Sequence, residues 1–80
     1  GIIFEDGAVG QATGNTCENN LWSGIAVRGE GTKPVLSENV CNNNGAWGII
    51  YWAGAEPEVL ADNITLNNFR DGIKTRDYNE

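Results

Sequence analysis

Apolar residues in this chain alternate with other residues over short stretches, then give way to Gly, Asn and charged residues. Four stretches show this best: Ile2-Ile3-Phe4, Ile25-Ala26-Val27, Ile49-Ile50-Tyr51 and Ile73-Lys74-Thr75, each opened by a glycine. Period-two alternation marks a strand whose side chains point to opposite faces in turn. It predicts one inward column of Ile2, Ile25, Ile49 and Ile73 and a second of Phe4, Val27, Tyr51 and Thr75. The alternate positions then face solvent: Ile3, Ala26, Ile50 and Lys74, with Glu5, Arg28, Trp52 and Arg76.

The stretches form a repeat. Their glycines, Gly1, Gly24, Gly48 and Gly72, are spaced 23, 24 and 24 residues apart. A second anchor runs in parallel through Asn15-Thr16-Cys17-Glu18-Asn19-Asn20, Asn39-Val40-Cys41-Asn42-Asn43-Asn44 and Asn63-Ile64-Thr65-Leu66-Asn67-Asn68. Val35-Leu36 matches Val59-Leu60 as a third. Each leading Asn stands nine residues before the next Gly, so the single-residue difference falls between Gly1 and Asn15. A fixed period of this size marks a solenoid in which each repeat stacks on the next. Leucine-rich repeats share the period, but they need Leu at several fixed positions, and here Leu occurs only at 21, 36, 60 and 66. A helix per repeat is equally unsupported, because Gly, Asn and β-branched residues dominate.

Three strands per repeat fit the anchors. The second strand directs Leu36 and Leu60 inward, with Ala12 as the smaller equivalent. In the third, either Thr16, Val40 and Ile64 or Cys17, Cys41 and Thr65 form the inward stack. Asn15, Asn39 and Asn63 read as a ladder at a corner, where amides satisfy backbone groups and Asn tolerates left-handed backbone. Asn63-Ile64-Thr65 matches a glycosylation acceptor pattern, but an inward ladder residue would be inaccessible to that chemistry.

The strings Gly14-Asn15-Thr16-Cys17-Glu18-Asn19-Asn20, Ser23-Gly24-Ile25-Ala26-Val27 and Glu38-Asn39-Val40-Cys41-Asn42-Asn43-Asn44 resemble the right-handed parallel β-helix repeat family, the pectate-lyase-like superfamily. The resemblance spans nearly the whole chain. It implies an all-β, right-handed parallel β-helix of about three and a half coils, with the cysteine stack inward. The coils would be residues 1–23, 24–47 and 48–71, with a partial coil at 72–80. The family includes lyases, hydrolases, epimerases, surface proteins and plain scaffolds, so the resemblance implies architecture more than activity.

Composition narrows the function. The 80 residues carry a formal net charge of -6 with five Lys+Arg, which argues against a nucleic-acid partner. No apolar run approaches the length of a membrane-spanning helix, and no membrane role is expected. The absence of Met and of a polar cap at either end suggests a segment of a longer array. Uncapped rungs would also favour end-to-end self-association between copies. Export or a bacterial cell-surface location fits the resemblance.

Chemistry is sparse. Without His, neither a Ser-His or Cys-His nucleophile nor a zinc site is available, and no metal or other cofactor is expected. Cys17 and Cys41 are expected to be free buried thiols, because stacked parallel neighbours suit disulfide geometry poorly. Asp6 and Asp77 share a column but lie three rungs, roughly 14 Å, apart, beyond the ~6.5–9.5 Å of paired catalytic carboxyls. The segment is therefore expected to be non-catalytic, a scaffold or carbohydrate-binding surface. Two alternatives stand beside it: part of a polysaccharide lyase, hydrolase or epimerase with its catalytic residues on other coils, or a self-associating adhesive module. The candidate carbohydrate-binding residues are Arg28, Trp52 and Arg76, with Lys74 and Glu5 beside them, and Trp22 and Trp47 near the same groove. A polysaccharide would stack on the indole and bond to the guanidinium groups. The plain alternative is a cation–π ladder of Arg28 and Arg76 around Trp52, with a Glu5–Arg28 salt bridge and with Trp22 and Trp47 packing the turn.

Overall fold

The computed structural model describes residues 1–70 and 72–76, the last three of these by backbone alone. Its strands are β1 (Ile2–Glu5), β2 (Val9–Thr13), β3 (Thr16–Glu18), β4 (Ile25–Arg28), β5 (Lys33–Ser37), β6 (Val40–Asn42), β7 (Ile49–Trp52), β8 (Val59–Ala61), β9 (Ile64–Leu66) and β10 (Ile73–Arg76). None of them pairs with its neighbour in sequence. Instead β1-β4-β7-β10, β2-β5-β8 and β3-β6-β9 form three parallel sheets. Every strand pairs with the equivalent strand one coil away, which makes the chain a parallel β-helix with three strands per coil. Among the described residues no helix is long and apolar enough to cross a membrane.

The register follows the repeat: Ile2, Ile25, Ile49 and Ile73 are successive partners, as are Cys17, Cys41 and Thr65. Glu5 pairs with Arg28, 23 residues on, whereas Val9 pairs with Lys33, 24 residues on. The length difference therefore sits in the corner between the first and second strands. There Thr32, fully buried, fills the longer turn: its Oγ1 accepts from Gly7 N at 2.9 Å and donates to Arg28 O at 2.9 Å.

The core is the inward face of the three sheets. Ile25, Val27, Leu36, Cys41 and Ile49 are fully buried, and Ile2, Phe4, Tyr51 and Leu60 pack against them. Of the two candidate stacks in the third sheet, the cysteines point inward, while Ile64 is half exposed on the outer surface. Cys17 and Cys41 are free thiols.

Two asparagine ladders close the corners on either side of the third strand. In the first, Asn39 Oδ1 accepts from the backbone N and the Nδ2 of Asn15, and Asn63 Oδ1 does the same for Asn39. Asn39 Nδ2 also donates to Ala12 O, and Asn63 Nδ2 to Leu36 O. The second, Asn20–Asn44–Asn68, repeats this geometry. Each ladder satisfies backbone groups that the turn strips of strand partners. The left-handed conformation belongs to the residue before each ladder position, Gly14, Glu38 and Asp62 in one corner and Asn19, Asn43 and Asn67 in the other. That corrects the expectation that the ladder asparagines themselves adopt it. The Nδ2 of Asn63 is committed inside the corner, which removes the glycosylation pattern as an acceptor.

Candidate functional site

Strands β1, β4 and β7 place Glu5, Arg28 and Trp52 in one outward column, with Arg76 of β10 next in register. Arg28 Nη2 makes an ion pair with Glu5 Oε1, both side chains partly exposed. Such a solvated pair contributes less than about 1 kcal/mol, but it commits the guanidinium to the coil below. The side chains of Lys74 and Arg76 lie outside the described residues, as do Asp71 and Asp77.

Trp52 takes its neighbour from elsewhere. Its ring meets Trp22 edge-to-face, centroids 5.6 Å apart at 88°, and Trp22 meets Trp47 at 6.3 Å and 79°. Among the described residues the cation–π contact is Arg70 over Trp47, 5.5 Å from the centroid, rather than Arg28 over Trp52. The expected ladder of Arg28 around Trp52 is therefore replaced by a three-indole cluster. The turn before the first strand explains it. Backbone bonds from Ala46 N to Trp22 O and from Arg70 N to Ala46 O set these three residues in one column. Ala46 carries only a methyl there, so the longer side chains above and below both reach Trp47 of the middle coil.

The cluster also overturns an exposure prediction. Ala26 and Ile50 point to the outer face, as alternation requires, yet they are 5% and 0% exposed. Trp22 borders Ala26, and Trp52 stands two residues beyond Ile50 on the same face of β7. Ile3, in the same column one coil earlier, remains 54% exposed, and Trp22 is 46% exposed. An open cleft lies beside it, lined by Ile3, Trp22, Ser23 and Ala26. Edge-to-face indole contacts add about 0.5–1.5 kcal/mol each beyond the area they bury.

The cysteines belong to the interior. Burial and the neighbouring Cys17 push the Cys41 thiol from its usual 9.0 up to about 12, so it stays protonated and unreactive. Among the described residues no three His, Cys, Asp or Glu gather where they could hold a metal ion. Sequence reasoning missed Arg70, a turn residue, and the contact between Trp22 of the turn and Trp52 of β7. The small residue at Ala46, between Trp22 and Arg70 at 24-residue spacing, was the available signal.

Parallel strands in three sheets, inward aliphatic stacks and asparagine-closed corners define a solenoid of the β-helix class. The chain belongs to the family of right-handed β-helix regions, which it matches over residues 1–80. No curated protein and no solved structure is significantly similar to it.

Proposed function

We propose that this chain is a non-catalytic β-helix segment, a scaffold that presents a carbohydrate-binding surface on the outer face of its first sheet. The observation carrying the proposal is the gathering of Trp22, Trp47 and Trp52 outside the core, with Trp22 half exposed beside an open cleft. An indole offers a flat apolar face to the C–H face of a pyranose, and its N–H can bond to a hydroxyl. Arg28, partly exposed at the edge of the same column, offers further donors. The scaffold half rests on the burial of Ala26 and Ile50 on that same outer face, which ties the face to the stability of the coils. The non-catalytic half rests on Glu5, the carboxylate of this column, being held by Arg28.

Affinity electrophoresis against neutral and uronic-acid polysaccharides tests the reading, with Trp22→Ala and Trp52→Ala as variants. Retardation by at least one glycan, reduced in both variants, is expected. Migration unaffected by every glycan would remove the binding surface and leave a scaffold alone.

A further inference from the structure

The corner after the third strand carries a feature that its structural duties do not explain. Asn19, Asn43 and Asn67 stand in successive coils, all exposed and all left-handed, with φ of 58°, 56° and 56°. Left-handed backbone alone does not call for Asn in this chain. Two other left-handed columns hold Asp6, Gly29 and Ala53 and Gly14, Glu38 and Asp62. Nor are these amides ladder members, since that duty falls on the adjacent Asn20, Asn44 and Asn68. Their side chains bond to no other described residue.

The three amides line a groove together with Leu21, Gly45 and Phe69. Leu21 is 99% exposed and Phe69 80%, large apolar side chains left in water two rungs apart. Gly45 lies between them in the same column, and a Cβ there would sit 2.1 Å from Leu21 O, so the gap is built into the backbone. Among the described residues, none that lines the groove is charged.

We propose that this corner binds a neutral, β-linked oligosaccharide lying along the helix axis, one sugar on each rung. The rung spacing, about 4.8 Å, is close to the length one such pyranose adds to an extended chain. Each amide offers a donor and an acceptor, as a pair of sugar hydroxyls requires. Leu21 and Phe69, roughly 10 Å apart at two rungs, give the C–H faces of the first and third sugars an apolar seat. The middle sugar rests over Gly45. A polyuronate gains nothing here, because among the described residues no cation lines the groove to meet its carboxylates. This site adjoins the cleft beside Trp22, with which it shares Asn20 and Leu21, but its three amides and Phe69 lie outside that cleft.

Side-chain amide NMR of the 80-residue chain tests the proposal, using mono- to tetrasaccharides of β-1,4-linked glucose, mannose and xylose. At least one series should shift the amide signals of Asn19, Asn43 and Asn67, with affinity rising up to the trisaccharide and levelling beyond it. Asn43→Gly keeps the left-handed backbone while removing the middle amide, and should weaken binding about tenfold or more with the fold intact by circular dichroism. Trp52→Ala should leave these shifts in place, so the two glycan sites stand or fall separately. Three results would overturn the proposal: unmoved amide signals with every oligosaccharide, unchanged affinity in Asn43→Gly, or shifts caused by an extended peptide alone.

Discussion

Replacing Asn39 asks how much an inward amide contributes to a β-helix corner. Its side chain is fully buried and makes four hydrogen bonds. Asn39→Ala leaves the backbone N–H of Asn15 and the carbonyl of Ala12 without those partners. Each orphaned buried group costs about 1–3 kcal/mol, and a small cavity adds to this, giving roughly 3–5 kcal/mol in all. A domain of 80 residues has only about 4–12 kcal/mol of stability, so the variant should approach the unfolding threshold. Urea unfolding followed by far-UV circular dichroism reads the loss as a lower midpoint. Asn39→Asp separates acceptor from donor: it keeps an oxygen for Asn15 but faces Ala12 O and Asn63 Oδ1 with negative charge. Its buried carboxyl favours the proton, so the folded state binds more protons than the unfolded one and stability should recover as pH falls. Asn43→Gly, at an exposed amide, should change little. A loss below about 1 kcal/mol in Asn39→Ala would refute the view that the ladder satisfies the corner.

The indole cover and the thiol stack yield two more predictions. Ile50→Ala should cost about 2–5 kcal/mol, as for a core residue, while Ile3→Ala in the same column should cost about 0.5 kcal/mol; equal losses in urea unfolding would contradict the cover. Cys41, held up to about 12, contributes stability that is constant below pH 9.0 and lost as pH rises from 9.0 through that value, because the unfolded thiol ionises first. Urea midpoints measured across that range should fall more steeply in the native chain than in Cys41→Ala, and parallel pH profiles would contradict the assignment.

The directions of the side chains were legible in the sequence. Alternation placed Ile25, Val27 and Leu36 inward, and the 23- and 24-residue spacings gave the strand register residue by residue. What alternation cannot express is cover. It says that Ile50 points outward, but it does not show that Ile50 is fully buried there, and two of the three indoles gathered on that side, Trp22 and Trp47, come from a turn, where no period operates. The second ladder illustrates a different limit. Asn19-Asn20, Asn43-Asn44 and Asn67-Asn68 are adjacent pairs at one spacing, and sequence alone does not say which of each pair turns inward. The backbone decides: the first takes the left-handed conformation, and that swings the second into the stack. For the candidate face, the outward positions of Arg28 and Trp52 were readable, but their partners were not. Arg28 turns to Glu5 and Trp52 to Trp22.

The difference of one residue between Asp6–Ala8 and Gly29–Thr32 bears on where such a chain can change in length. Two of the three corners are laced by amides that reach from one coil to the same position in the next, and an added residue there would pull every bond in the column out of step. Among the described residues the remaining corner has no ladder, and a single threonine hydroxyl takes up its slack. Insertions, and whatever new loops they bring, therefore have one inexpensive point of entry per coil. It opens at the end of the first strand, beside the column that carries Trp52.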